Sequence, residues 1–69
     1  MPIQHKKEFG IYHWDTFDNE TWLVDEADTV EEAEKMVMSR YGGQISSSGA
    51  DQVDLVSRSG KVLKSWRIH

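Results

Sequence analysis

One segment in the middle of the sequence carries a full set of helix signals, and it limits the folds that are open to the chain. Thr29 followed by Glu32 is a capping box, in which the hydroxyl accepts from the Glu32 backbone N–H while the carboxylate reaches back. Apolar residues at spacings of three or four form one stripe for a core, made of Val30, Ala33, Val37 and Tyr41, with Met36 beside them. Gly42 and Gly43 are expected to end the helix with a left-handed cap. The pattern predicts a single helix at about residues 29–41.

Two strand-like runs precede the helix. Residues 8–14 and 20–25 are rich in aromatic and branched side chains, which favour strands. Residues 15–19 between them, DTFDN, are typical of a turn, so the two runs are predicted to form a hairpin. Alternation divides the large side chains of the first run between two faces: Phe9, Ile11 and His13 on one, Tyr12 and Trp14 on the other.

A second hairpin is predicted after the helix and a loop at residues 42–50. Residues 51–57 and 61–68 flank Arg58-Ser59-Gly60, where Gly60 is free to take a positive φ. If Ser59-Gly60 is a two-residue turn, counting gives three cross-strand pairs: Ser57 with Val62, Leu55 with Lys64, and Val53 with Trp66. The more apolar face, chosen for the core, then carries Val53, Leu55, Val62, Trp66 and Ile68. A three-residue loop with a bulge would shift this register.

The order of these elements predicts an α+β fold of ββαββ type. One helix packed on one face of a four-stranded, mainly antiparallel sheet is the compact solution. Residues 1–69 are expected to form one small domain with an ordered core at about residues 8–68. The core must hold without disulfides, because the chain has no cysteine.

The layout resembles small uncharacterised bacterial or phage domains of strand-strand-helix-strand-strand order. The resemblance is carried by Thr29-Val30-Glu31-Glu32-Ala33, and by Val53-Asp54-Leu55-Val56 followed by Gly60-Lys61-Val62. It implies the same fold, and it brings no catalytic residues to this chain.

The sequence holds no pattern that predicts a metal site or an enzyme. The three histidines lack the spacing of a zinc helix, and the carboxylates of Asp15, Asp18 and Glu20 lack the glycine of a calcium loop. Ser47, His13 and Asp15 make a catalytic set on paper, but no nucleophile elbow surrounds a serine. His13 is instead expected to be a histidine at the edge of the core, hydrogen-bonded to a neighbour. We expect neither catalysis nor a metal or cofactor.

The polar start of the chain and its short apolar runs indicate a cytoplasmic protein. The first ten residues, MPIQHKKEFG, do not resemble a signal peptide. The longest apolar stretches are two or three residues, whereas a membrane-spanning helix needs roughly 20. No membrane partner is therefore expected.

The aromatic residues suggest a function in association. A single helix covers one face of a sheet, whereas the first hairpin has large side chains on both faces. The uncovered face, or an edge strand, is therefore predicted to bind a second copy as a homodimer or to bind another protein. The candidate interface residues are Tyr12, Trp14, Trp22 and Trp66. The alternative is that these rings lie half-buried over the sheet with no partner.

Two other binding functions remain open. The second hairpin carries the basic residues Arg58, Lys61, Lys64 and Arg67 beside Trp66, which is the chemistry of a single-stranded nucleic-acid site. The net charge of -4 opposes such a partner. The outer face of the helix, with Glu31, Glu34, Lys35 and Met38, is predicted either to be solvated or to dock onto a basic partner.

Overall fold

The computed structural model describes residues 3–69 and confirms the ββαββ order of an α+β fold. The elements are β1 (Phe9–Asp15), β2 (Glu20–Ala27), α1 (Val30–Tyr41), β3 (Asp51–Ser57) and β4 (Val62–Ile68). The four strands form one antiparallel sheet in the order β2-β1-β3-β4, so that the first strands of the two hairpins lie at its centre. No helix within residues 3–69 is long and apolar enough to cross a membrane.

The helix begins as its capping signal predicts but ends differently. The Thr29 side chain accepts a hydrogen bond from the Glu32 backbone N–H at 3.1 Å. Ala33, Val37 and Tyr41 are buried, as the apolar stripe predicts. Val30 is exposed, because it is the first residue of the helix. The predicted left-handed cap is wrong: Gly42 has φ −50° and ψ −40°, because it continues the helical turn and donates its N–H to the Met38 carbonyl.

The second hairpin has the predicted register except beside its turn. Val53 pairs with Trp66 and Leu55 with Lys64, while Gly60 takes a φ of 89°. The predicted pairing of Ser57 with Val62 is wrong, because an irregularity after Leu55 pairs Val56 with Val62. Val62 is consequently exposed and does not belong to the core, contrary to the prediction.

The core lies between α1 and one face of the sheet. Every strand contributes to it, and Trp66 fills the part of the sheet face on β4. Its buried residues are Ile11, Ala27, Ala33, Val37, Tyr41, Val53, Leu55, Trp66 and Ile68. The loop after the helix joins this core at its far end, since Ile45 packs against it and forms an isolated bridge with Ile68.

The reverse face of the sheet has a cover that the sequence analysis did not predict. Residues 3–8, here called the N-terminal arm, contact this face, and His5 on the arm is buried. Beneath the arm lie Gly10 and Tyr12 of β1, both of which are buried. Part of the face that the helix leaves uncovered is therefore covered by the N-terminal arm.

Candidate interaction surface

The structure does not gather the four aromatic residues predicted for an interface into one surface. Tyr12 is 1% exposed on the reverse face, beneath the N-terminal arm. Trp66 is 8% exposed and belongs to the core on the helix side. Trp14 is half-buried, and Trp22 is 43% exposed. Only the two tryptophans of the first hairpin therefore present area to a partner.

Trp14 and Trp22 lie on opposite faces at the same end of the first hairpin. Trp14 pairs across the strands with Thr21, and its indole N–H donates to the Asn19 side-chain oxygen at 3.2 Å. Trp22 pairs with His13 and stacks on its ring, with 4.5 Å between the ring centroids and 9° between the planes. Each indole is thus held by a neighbouring side chain.

Phe17 extends from the turn that joins these two strands, and it is 93% exposed. The turn is ordered by its own hydrogen bonds: the Phe17 backbone N–H donates to Asp15 Oδ1 at 3.0 Å, and Thr16 Oγ1 donates to the Ala50 carbonyl. Asn19 completes the turn with a φ of 55°, a conformation that asparagine tolerates. A phenylalanine in the middle of the polar run DTFDN was the signal in the sequence that could have identified this ring.

These residues define two surfaces of opposite charge, one at each hairpin turn. The aromatic turn comprises Trp14, Phe17 and Trp22 with the acidic residues Asp15, Asp18 and Glu20, and it has no basic residue. The basic turn comprises Arg58, Lys61 and Lys64 with the exposed apolar residues Val62 and Leu63, and it has no acidic residue.

The two turns lie at opposite ends of the sheet. β1 pairs with β3 in antiparallel register, with Phe9 opposite Ser57 and Trp14 opposite Gln52. The turn after β3 is therefore beside the start of β1, and the turn after β1 is beside the start of β3. Each molecule presents an acidic, aromatic surface at one end and a basic, apolar surface at the other.

His13 is a histidine at the edge of the core with both ring nitrogens hydrogen-bonded. Its Nδ1 lies 3.1 Å from the Tyr41 hydroxyl, and its Nε2 lies 3.0 Å from Asp51 Oδ2. An ionised carboxylate only accepts, so Nε2–H donates to Asp51, and in the neutral ring Nδ1 accepts from Tyr41. Burial raises the pKa of the Tyr41 phenol, and the charge of Arg40 opposes this shift.

This arrangement confirms that His13 is hydrogen-bonded to its neighbours, and it does not assemble the Ser/His/Asp set. Asp51 rather than Asp15 bonds the ring, and Ser47 lies exposed in the loop after the helix. The Asp15 carboxylate accepts from the backbone of its own turn. The hydrogen bonds of His13 join the end of α1 to β1 and β3.

The remaining polar groups do not converge on a chemical site. Within residues 3–69 no group of three or more acidic or histidine side chains could hold a metal ion. An open groove of about 480 Å³ lies between α1 and β2. Acidic and basic side chains line it together, so it has no preference for a ligand of one charge: Asp25, Glu32, Lys35, Met36, Ser39 and Arg40.

The basic hairpin lacks a free aromatic face for stacking on a nucleic-acid base. Trp66 is buried, and the Lys64 ammonium lies 5.1 Å from its ring centroid. The same ammonium is 3.4 Å from a carboxylate oxygen of Glu34 on the helix. This ion pair also occupies one acidic residue of the helix face, on which Glu31, Lys35 and Met38 are exposed.

Comparisons of the chain with protein-family models, with curated proteins and with solved structures give no match. No relative therefore contributes a function or a set of site residues. In the described part of the chain, each of the two hairpin turns combines exposed apolar area with charge of one sign.

Proposed function

We propose that the chain is a non-enzymatic interaction domain of the cytoplasm that self-associates head to tail. The aromatic turn of one copy binds the basic turn of the next. The observation that carries the proposal is the complementarity of the two turns: at one end three acidic residues adjoin exposed aromatic residues in the sequence, and at the other three basic residues, of which Lys64 also pairs with Glu34, adjoin Val62 and Leu63.

Phe17 is the anchor of this contact. Complete burial of a phenylalanine side chain stabilises by about 1.5–3 kcal/mol, and nearly all of this ring is available. Because hydrogen bonds of the turn already hold its backbone, little conformational entropy is lost when the ring is buried. Trp22 adds a second exposed aromatic ring at the same end of the hairpin.

Charge determines which surfaces meet. Two aromatic turns in contact would place three acidic residues against three others, and like charges at an interface oppose association. An aromatic turn against a basic turn pairs opposite charges instead. This contact joins two different surfaces, so it leaves one of each free and permits further copies to add. Because the charges are exposed, the association is expected to weaken as salt is added.

Two charge-reversal variants test this arrangement. Asp18→Lys combined with Glu20→Lys changes the formal charge of the aromatic turn from −3 to +1, and Lys61→Glu lowers that of the basic turn from +3 to +1. All three side chains are exposed, and none makes a side-chain hydrogen bond or ion pair in the described structure, so the fold is expected to remain. Lys35→Glu, on the exposed face of the helix, is the matched control for a lysine reversal.

Sedimentation equilibrium from about 10 µM to about 1 mM covers the range of weak association. The parent and the Lys35→Glu control are expected to associate, more strongly at low salt. Each variant alone is expected to associate much more weakly than the parent, because one of its two turns has lost the charge that attracts the other. Their equimolar mixture is expected to form a 1:1 dimer and no larger species, because each variant keeps one intact turn. A parent that stays monomeric at every concentration, or reversed variants that associate like the parent, would refute head-to-tail binding.

Phe17→Ser separates the anchor from the fold. The ring is almost wholly exposed, so its removal is expected to leave the urea midpoint unchanged and to abolish association. Association of this variant at the parent's affinity would show that the contact lies elsewhere on the chain.

A further inference from the structure

Three contacts of the N-terminal arm meet at one oxygen atom. The backbone N–H groups of Gln4 and His5 lie 2.8 Å and 3.2 Å from the Tyr12 hydroxyl oxygen. The His5 Nδ1 atom lies 2.8 Å from the same oxygen. All three join the arm to the centre of the reverse face.

The hydrogen-bond donors and acceptors that meet at this oxygen determine the protonation state of His5. A backbone N–H can only donate, so Gln4 and His5 use both acceptor positions of the Tyr12 hydroxyl. The hydroxyl proton is then donated to His5 Nδ1, which must carry no proton of its own. The arm is therefore bound with His5 as a neutral ring that has its hydrogen on Nε2.

A second proton on this ring would have no acceptor. If Nδ1 were protonated, three N–H donors would face the Tyr12 oxygen: the backbone N–H groups of Gln4 and His5, and the Nδ1–H of His5. The Tyr12 oxygen has only two acceptor positions. The Nε2–H of the neutral ring is already buried without a hydrogen-bond partner, so the charged ring would have a second N–H donor that also lacks an acceptor. His5 is 4% exposed and its ring lies directly over Gly10, so the positive charge would also be removed from water.

None of the described charged groups around the arm is hydrogen-bonded to the His5 ring, whose Nδ1 contacts Tyr12 and whose Nε2 has no partner. On β2, Glu26 Oε1 already accepts from the backbone N–H groups of Lys6 and Lys7. On β3, Asp54 Oδ1 already accepts from Gln52 and Ser65. Arg58, after β3, donates to the Lys6 carbonyl and adds a positive charge beside the arm. The Glu26 carboxylate does attract an imidazolium, but the residue is only partly buried, and solvent screens this attraction.

We propose that the N-terminal arm is an acid-released strap. It binds the reverse face while His5 is neutral, and it leaves when His5 gains a proton, uncovering Tyr12. The bound state holds fewer protons than the released state, so a fall in pH favours release. In the range where histidines titrate, the ratio of released to bound arm rises by up to about tenfold per pH unit. The inference is independent of the proposed self-association.

Nuclear magnetic resonance of the full chain between pH 8 and pH 5 follows both events in one sample. The amide signals of Gln4 and His5 report arm binding, and the His5 ring nitrogens report its proton. The amide signal of Val53 reports the core. The Gln4 signal is expected to leave its bound position with the same midpoint at which the His5 ring titrates, while the Val53 signal stays constant. Different midpoints, or a bound arm with a protonated His5 ring, would overturn the proposal.

Two variants assign the proton to its residue. His5→Asn replaces Nδ1 by an oxygen that accepts from Tyr12 and does not titrate, so release above pH 5 is expected to disappear. His13→Gln is the matched control, and it is expected to release its arm as the parent does. Retention of the pH-dependent release in His5→Asn, or its loss in the control, contradicts the assignment. Should His5→Asn fail to bind the arm at any pH, the coincidence of midpoints in the parent still decides.

Glu26 and Asp28 are neighbouring acids whose protonation would also loosen the arm: Glu26 accepts from the backbone N–H groups of Lys6 and Lys7, and Asp28 Oδ2 lies 4.0 Å from Lys7 Nζ in an exposed ion pair. The backbone N–H groups of Lys6 and Lys7 lower the pKa of Glu26 below its ordinary value of 4.5, so its loss of charge falls below the tested range. Glu26→Gln keeps an oxygen that can accept from both N–H groups, and its arm is expected to release as in the parent. Release that disappears in this variant would assign the effect to Glu26 and would refute the role of His5.

Discussion

Replacement of Gly10 by alanine tests whether the N-terminal arm contributes to stability. A Cβ atom at this position would lie 2.4 Å from His5 Nδ1 and 2.6 Å from His5 Cγ. Heavy atoms in ordinary contact are about 3.5–4.0 Å apart, so the imidazole ring must retreat by roughly 1 Å. That shift moves Nδ1 beyond hydrogen-bond range of the Tyr12 hydroxyl, which is now 2.8 Å away.

The expected change in stability is the difference between two opposing effects. A buried group left without its hydrogen bond costs about 1–3 kcal/mol. Alanine in place of glycine within a strand gains roughly 0.5–1 kcal/mol, because glycine loses more backbone freedom on folding. The free energy of unfolding is therefore expected to fall by about 1 kcal/mol. With a urea dependence of about 1 kcal/mol per molar, the unfolding midpoint should fall by about 1 M.

Urea denaturation of the parent, Gly10→Ala and Gly43→Ala measures this difference. Gly43 is the matched control, since a Cβ there meets no heavy atom within 4 Å, and its replacement should leave the midpoint unchanged or slightly raised. A Gly10→Ala variant that is more stable than the parent, with the Gln4 amide still in its bound position, would show that the arm does not pack on Gly10.

Two further predictions concern the helix. Thr29→Ala should lower the free energy of unfolding by about 1 kcal/mol, since the Glu32 backbone N–H loses its acceptor, whereas Thr29→Ser should restore most of it in the same urea assay. The raised pKa of Tyr41 means that the folded chain keeps its phenol proton above pH 10, where the unfolded chain loses it, so stability should decline as the pH rises past 10. Thermal unfolding of the parent and Tyr41→Phe across this range should show a smaller decline in the variant, and equal slopes would contradict the burial of the phenol as its cause.

The elements that the sequence predicted are those whose signals are local. Thr29 and Glu32 mark the start of the helix within four residues, and Gly60 marks the second turn. Counting residues outward from that turn predicted the pairing of Val53 with Trp66, because one cross-strand pair determines the pairs that follow it along the two strands. The irregularity beside Val56 has no such local marker, and it placed Val62 outside the core.

The candidate interface was harder to predict, because burial on the reverse face depends on residues distant in sequence. The arm is polar and has no periodicity, so nothing in it predicts that it covers Tyr12. One signal was present: a glycine inside a strand often marks the close approach of another segment, and Gly10 lies beneath His5. Exposed and buried aromatic rings look alike in a sequence, so Trp22 and Trp66 could not be distinguished before the strand order was known.

The position of β1 and β3 at the centre of the sheet has a consequence for the order in which the fold is built. Ile11 pairs with Leu55, so the central ladder joins residues separated by more than half of the chain. During synthesis from the N terminus, the first hairpin exists for some time with a vacant inner edge, and only the emergence of β3 closes it. Such distant pairing makes assembly slow for a chain of this size. The ladder between β1 and β3 is accordingly expected to be the last part of the sheet to form.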